Sequence, residues 1–371
     1  MKPFYVMEVL ERAQELERAG EDVVHLEVGE PDFDTPEPIK EACLRALREG
    51  KTHYTHSLGI LELREAICEH YWEKYGVEVT PDQVVITSGT SPGMLLLFSV
   101  LLDRGDEVIL PDPYYPCYPN FVQYVGGVPK ALPTEEAEGF RYEPQRVRGA
   151  IGPRTKAIVV NSPSNPTGVV MEPERLREIA SLPLWVVSDE IYHGLVYEGR
   201  EHTMLEFTDR CFVLNGFSKL YAMTGWRLGY VIAPRELVRP MQILAQNLFI
   251  SANAFVQWAG IAALKETHDA VERMRREYNR RRLFMLGELR KLGFGIEVEP
   301  TGAFYILARA RHLSEDSLKL AFDILEKAKV GVTPGVDFGP GAEGYLRFSY
   351  TTSMERIEEG MRRLKGYLES L

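Results

Sequence analysis

The sequence predicts an α/β protein with a large domain, whose mostly parallel central sheet is flanked by helices, and a smaller α+β domain built from both termini. Three observations predict it. From Val84 onward, short apolar runs alternate with longer amphipathic ones (Val84-Val-Ile-Thr, Glu107-Val-Ile-Leu, Ala157-Ile-Val-Val, Leu184-Trp-Val-Val, Phe212-Val-Leu, Tyr230-Val-Ile), the rhythm of a sheet buried on both faces. Beyond His268 that rhythm gives way to one long helical pattern and then a mixed strand-and-helix tail. At 371 residues the chain exceeds what a single core usually holds.

The elements follow in order. Residues 7–19 and 37–48 have helical spacing, separated by the turn-rich segment Val28-Gly-Glu-Pro-Asp-Phe-Asp-Thr-Pro36. A helix is expected from about Ile60 to Tyr75, ahead of the alternating region. A long helix spans His268–Lys291. Strand-like Ala303-Phe-Tyr-Ile-Leu, a helix over about 315–328, strand-like Tyr345-Leu-Arg-Phe-Ser and a helix from Ser353 complete the tail. The expected division is 1–45 as the N-terminal part of the small domain, 46–267 as the large domain and 268–371 as the rest of the small one. The first ~40 residues are expected to pack on the tail.

Charge and composition exclude several classes. Apolar residues make up 45% of the chain and charged ones 26%, as in globular domains. The balance of 43 basic and 54 acidic residues, −11, argues against nucleic acid or an anionic membrane as the main partner. The basic cluster Arg275-Arg-Glu-Tyr-Asn-Arg-Arg-Arg282 reads as a solvated helix face. Cys43, Cys68, Cys117 and Cys211 are widely spaced and read as buried free thiols of a reducing compartment. No signal peptide is visible, the longest apolar run (Met94–Leu102) is too short to cross a bilayer, and a cytoplasmic location is expected.

The most informative stretch is Asn215-Gly-Phe-Ser-Lys-Leu-Tyr-Ala-Met-Thr-Gly-Trp-Arg-Leu-Gly229. Its lysine, Lys219, hangs in a loop between two core strands. Partial burial there lowers an ammonium pKa and yields the neutral amine that attack on an aldehyde requires. Arg227, eight residues on, offers a guanidinium fork for a phosphate. The strand-turn-helix pattern Val84-Val-Ile-Thr-Ser-Gly-Thr-Ser-Pro-Gly-Met94 makes an anion site from the backbone N–H groups of Gly89, Thr90 and Ser91, with Ser91 as expected N-cap and Pro92 as first helical residue. Thr90, Ser91 and Ser218 add hydroxyls. Asp189 ends a core strand, where ligand sites of parallel sheets gather, although a helix cap is the plain alternative. Arg347 lies between large apolar residues in a strand, so it needs either a salt-bridge partner or a ligand carboxylate.

These segments together resemble the fold-type I pyridoxal-phosphate enzymes, specifically the class I/II aminotransferases (aspartate aminotransferase-like), from about Gly29 to the C-terminus. The resemblance implies pyridoxal 5'-phosphate as cofactor, attached covalently through Lys219, and a homodimer with shared active sites. It makes Asp189, in Val186-Val-Ser-Asp-Glu-Ile-Tyr192, the partner that keeps the pyridine nitrogen protonated. Opposite charges ~3 Å apart at an effective dielectric of ~20 attract by about 5 kcal/mol, enough to shift that proton. Asn165, in Asn161-Ser-Pro-Ser-Asn-Pro-Thr-Gly168, and Tyr192 become donors to the ring hydroxyl, Asn165 also touching substrate. The bond before Pro166 can be cis. Tyr115 becomes the aromatic stacked on the ring, with Tyr114 and Tyr118 as competitors. Tyr54 becomes a phosphate donor from the other subunit. Gly29 and Arg347 receive the substrate carboxylate.

The implied activity moves an amino group between an L-amino acid and a 2-oxo acid, with 2-oxoglutarate and glutamate as one pair, by ping-pong kinetics. A carbon–sulfur β-lyase shares the scaffold, and so does a cofactor-sensing regulator, but no DNA-binding segment is visible. A lysine found in some aspartate-using relatives is replaced here by Ser91, which weighs against a dicarboxylate as main donor. Gly89-Thr-Ser-Pro-Gly93 also matches the GxSxG of serine hydrolases, yet no oxyanion segment or histidine setting accompanies it. Gly339-Pro-Gly-Ala-Glu-Gly344 matches GxGxxG, but a strand follows where dinucleotide binding needs a helix. His53 and His56 lack a third metal ligand.

Overall fold

The computed structural model describes residues 3–371; Met1 and Lys2 of the expected N-terminal segment lie outside the described residues. The chain runs α1 (Tyr5–Arg18), β1 (Val24–His25), α2 (Glu37–Arg48), α3 (Leu61–Tyr75), β2 (Val84–Thr87), α4 (Thr90–Leu101), β3 (Glu107–Asp112), α5 (Cys117–Tyr124), β4 (Val128–Pro133), α6 (Pro144–Ala150) and β5 (Thr155–Asn161). It continues through α7 (Pro173–Ala180), β6 (Trp185–Asp189), β7 (Cys211–Gly216), β8 (Gly229–Ile232), α8 (Arg235–Leu248), α9 (Ala254–Glu266), α10 (His268–Lys291), β9 (Tyr305–Arg309), α11 (Ser317–Ala328), β10 (Val330–Gly331), β11 (Thr333–Pro334), β12 (Tyr345–Ser349) and α12 (Met354–Glu369).

The fold class is the expected one: seven strands form one sheet in the order β2-β8-β7-β6-β5-β3-β4, antiparallel only where β8 meets its two neighbours. Alternation along each strand divides the core. Ile86, Ile158, Val186 and Val213 face Leu63 and Ile67 of α3 and Val256 of α9. Val85, Val159, Val187 and Leu214 face Leu97 and Phe98 of α4 and Met241 of α8. The sequence reading missed β4, which pairs only with β3. Pro129 and Pro133 disguise it, since proline lacks the N–H of an interior ladder and is tolerated at a sheet edge.

A second, three-stranded antiparallel sheet (β11-β12-β9) and the short parallel pair β1-β10 lie with α10, α11 and α12. α1 packs on α11, while α2 lies along α9 beside the large sheet, so the first ~40 residues do not all pack on the C-terminal tail. β12 carries Arg347 and pairs in register with β9, Arg347 opposite Leu307 and Ser349 opposite Tyr305.

Two expectations need correction here. The arginine cluster on α10 is not simply a solvated face, because Arg281 and Arg282 are buried. Arg282 donates to the Pro300 carbonyl at 2.6 Å and to Asn279 at 2.9 Å and pairs with Glu198; Arg281 pairs with Asp32 at 2.7 Å. Each guanidinium finds enough oxygen acceptors to offset its desolvation. Of the four free thiols only Cys211 is buried; Cys43, Cys68 and Cys117 are half-buried.

Arg282→Ala should therefore destabilise the fold by about 3 kcal/mol in denaturant unfolding, because it strands the Pro300 carbonyl and empties a packed position. Arg276→Ala, on an exposed part of the same helix, should change stability by less than about 0.5 kcal/mol.

Candidate active site

The strands β2, β5, β6 and β7 end on the same edge of the large sheet, and the loops that leave them converge there. A cavity of about 200 Å³ opens at this edge. Of the residues singled out in the sequence, Gly29, Thr90, Tyr115, Asn165, Asp189, Tyr192, Lys219 and Arg347 line it together.

Asp189 is the last residue of β6 and is buried. Its carboxylate accepts from Tyr118 Oη at 2.6 Å and from the Ile191 N–H at 3.2 Å. Burial pushes its pKa up to about 6 against the pull of those donors and of the more distant Lys219, and among the described residues no cationic side chain forms an ion pair with it. Asn161, at the end of β5, donates from Nδ2 to the Asp189 carbonyl at 3.0 Å and accepts from the Asn165 N–H at 2.7 Å, tying both loops together. The Asn165–Pro166 bond is cis.

Lys219 follows β7 and donates from Nζ to the Gly29 carbonyl at 2.7 Å. Burial brings its pKa down to about 8, with Arg347 and Arg227 pushing the same way and Glu30 and Asp189 opposing. Gly29 admits no side chain, for a Cβ there would stand 1.8 Å from Tyr305 Oη.

Arg347 is buried and, among the described residues, makes no ion pair with an acidic side chain. Nη1 donates to Asn165 Oδ1 at 2.9 Å, and Nη2 donates to Thr333 Oγ1 at 3.1 Å and to the Glu27 carbonyl. Its Nε has no hydrogen-bond partner among the described residues. The guanidinium lies between the rings of Tyr305 and Phe338, 4.2 and 4.9 Å from their centroids. The salt-bridge alternative raised by the sequence does not hold, and the residual positive charge faces a cavity able to take an anion.

The helix α4 begins two residues earlier than expected. Gly89, at φ +95°, is its N-cap, Thr90 and Ser91 are the first two helical residues, and Pro92 is the third. The left-handed turn closes before a serine cap is needed, and no side chain caps the end, so the N–H groups of its first turn have no capping side chain. The guanidinium of Arg227 lies against Gly89, where a Cβ would come within 2.5 Å of Nη2. Arg227 itself holds φ +55°, a strained conformation for a non-glycine residue. Ser218 is buried one position before Lys219.

Tyr54 is not in the cavity; its ring is 82% exposed on the single chain. Tyr114 also lies outside, and Tyr118 is occupied with Asp189, which leaves Tyr115 as the cavity-facing ring among the three tyrosines weighed from the sequence that is free of such a bond. Sequence reasoning missed Tyr305, whose hydroxyl meets that of Tyr192 at 2.8 Å, and Phe4, Val6 and Met7 of the N-terminal segment, which wall the cavity. Strand alternation places Tyr305 and Leu307 on one face of β9, but only the register against β12 brings that face to Arg347.

The donor set fits a phosphorylated pyridine aldehyde: an amine of depressed pKa, an unpaired buried carboxylate, an uncapped helix N-terminus beside an arginine, and a flat aromatic wall. Residues 21–364 match the family described as aminotransferase class I and II. The chain belongs to the class I and II aminotransferases. It is accordingly a pyridoxal-phosphate-dependent aminotransferase of the aspartate aminotransferase-like fold. The aminotransferase is 43% identical to the aspartate/prephenate aminotransferase of Thermus thermophilus over 99% of this chain and 97% of that protein. It is equally identical, 43%, to the (5-formylfuran-3-yl)methyl phosphate transaminase of Methanocaldococcus jannaschii over 98% of this chain and 96% of the relative. Among solved structures it superposes on the aspartate aminotransferase from Thermus thermophilus with maleate at a TM-score of 0.95, with 42% identity and coverage of 100% and 97%. Among the described residues, no helix is long and apolar enough to cross a membrane.

The lowered Lys219 pKa makes this side chain a net cost to the cofactor-free fold. The unfolded chain binds the Lys219 proton more tightly, so the cost is full below pH 8 and fades as pH rises from about 8 to 10.5. Lys219→Met should raise the unfolding free energy of the cofactor-free protein at pH 7 by on the order of 2 kcal/mol, the advantage shrinking across that window in urea titrations at successive pH values.

Proposed function

We propose that this aminotransferase moves the amino group of an L-amino acid to a 2-oxo acid in two half-reactions with ping-pong kinetics, 2-oxoglutarate and glutamate forming one pair. The observation that carries the reading is the buried guanidinium of Arg347, which makes no ion pair among the described residues and faces the same cavity as Lys219 and Asp189. A substrate α-carboxylate supplies the anion that Arg347 lacks, with Asn165 and the Gly29 backbone beside it.

Lys219 is the residue that holds pyridoxal phosphate covalently. The bound cofactor supplies an electron sink for the bond electrons of the substrate Cα. Lys219 Nζ would take the proton from the substrate Cα and return it; in the cofactor-free protein its pKa of about 8 leaves a share of neutral amine near neutrality. Asp189 would keep the pyridine nitrogen protonated, the ring's positive charge offsetting the desolvation that raises the carboxyl's own pKa. Asn165 and Tyr192, which line the cavity, would hold the ring hydroxyl, and Tyr115 would cover the ring. Gly89, Thr90, Ser91, Ser218 and Arg227 cradle the phosphate.

The exposed ring of Tyr54 supports a homodimer in which it completes the partner's phosphate site. Because α2 (Glu37–Arg48) packs on α9, we move the expected boundary at residue 45 and assign about 1–36 and 268–371 to the smaller domain and 37–267 to the larger. Four unpaired thiols favour a cytoplasmic setting.

A stopped-flow absorbance screen of single amino acids against the holoenzyme tests the reading. Amino donors should convert the cofactor to its amine form without an acceptor, and 2-oxoglutarate should restore the starting spectrum. Release of pyruvate from cystathionine without any oxo acid would instead mark a β-lyase. Borohydride reduction and peptide mapping should place the pyridoxyl label on Lys219. Lys219→Ala should still bind the cofactor non-covalently, while turnover falls by about a thousandfold or more; normal turnover would overturn the assignment.

A further inference from the structure

The first turn of α1 is capped by a residue more than three hundred positions away. The Tyr5 N–H donates to Asp337 Oδ1 at 3.0 Å and the Val6 N–H to Asp337 Oδ2 at 3.2 Å. Phe4, the N-cap residue, provides no side-chain bond of its own. A carboxylate at this point satisfies two otherwise free donors and meets the positive end of the helix dipole.

Asp337 is fixed just as firmly at its other end. It sits in the 3-10 turn Gly335–Phe338 that leaves β11, and its neighbour Phe338 lies against the Arg347 guanidinium. The turn is held by Val336 N–H donating to Ser317 Oγ at 3.0 Å, and the Phe338 carbonyl accepts from the Tyr114 N–H at 2.9 Å. One carboxylate thus links the first turn of α1 to the segment that packs on Arg347.

What that turn carries is a wall of the substrate cavity. Phe4, Val6 and Met7 all line it, and Phe4 meets Tyr115 edge-on with centroids 6.2 Å apart. A substrate whose carboxylate lies on Arg347 has its side chain free to extend toward this wall; a methyl group is too short to reach far, a benzyl or isobutyl group is not. We propose that Asp337 is a positioning residue that holds the first turn of α1 as the side-chain wall of the substrate cavity and so sets the affinity for donors with large apolar side chains.

The inference rests on the functional reading above, and alanine separates the two. The wild-type half-reaction with alanine reports on the aminotransferase reading, whereas the ratio of phenylalanine to alanine reports on the wall. In Asp337→Ala holoenzyme, KM for phenylalanine should rise about tenfold while kcat with phenylalanine and both constants for alanine stay within about twofold, the scale of one lost apolar contact surface. Hydrogen exchange should show the Tyr5 and Val6 amides losing protection with the core strands unchanged. Phe4→Ala, which trims the wall and leaves the latch, should raise KM for phenylalanine about as much, and the double variant should lose little more on phenylalanine than either single one. Equal losses for alanine and phenylalanine, additive effects in the double variant, or unaltered protection at Tyr5 and Val6 would each overturn the proposal.

Discussion

The guanidinium of Arg347 is held by neutral oxygens alone, and the architecture depends on that arrangement. Its acceptors come from Asn165 on the loop after β5, Glu27 beside β1 and Thr333 on β11, three segments that chain order separates widely. Removing a full positive charge from water costs several kcal/mol unless acceptors are supplied in the right geometry. Those three oxygens therefore fix where the small sheet, the N-terminal segment and the large sheet must meet. Because none of them carries charge, the site keeps an unspent electrostatic preference for an anion. A carboxylate in place of Asn165 would stabilise the empty protein and remove that preference.

The same logic runs in opposite senses at the floor of the cavity. Burial raises the Asp189 carboxyl and lowers the Lys219 ammonium, so each is shifted toward its neutral form. The two do not pair: Lys219 Nζ is spent on the Gly29 carbonyl and Asp189 on Tyr118. A direct ion pair would have restored both ordinary pKa values and locked the amine in its charged state. Keeping the two charges apart, each with a neutral hydrogen-bond partner, leaves a reactive nitrogen and an unsatisfied anion in one small volume.

Much of this was legible in the sequence, for identifiable reasons. Strands of the large sheet are buried on both faces, so they appear as unbroken apolar runs, and the strand ends that carry Asp189 and Lys219 can be read from where the runs stop. The helix His268–Lys291 and the strand Tyr345–Ser349 have the expected bounds because periodicity along one element is a local property. What escaped was relational. Tyr305 reaches Arg347 only through the β9–β12 register, the burial of Arg281 and Arg282 depends on acceptors at Asp32 and Pro300, and the cap of α1 lies on Asp337. The cap of α4 was misplaced for a different reason: a serine before a proline is a good local signal, but the left-handed turn at Gly89 closes the helix sooner.

Similarity leaves the substrate open in a way the geometry explains. Two relatives at 43% identity carry names for different substrates, one an amino acid and prephenate, the other a furan phosphate. The groups suited to proton transfer and cofactor binding stand at the ends of core strands, where a change of position would disturb the packing of the whole sheet. The wall opposite Arg347 is different in kind. It is one turn of a terminal helix, held through apolar contacts and the Asp337 carboxylate, and it contributes no strand to the large sheet. If that turn selects the substrate as proposed, chemistry is constrained by the core and selection by one terminal turn; overall identity, which counts mostly core and scaffold, then reports on the first far better than on the second.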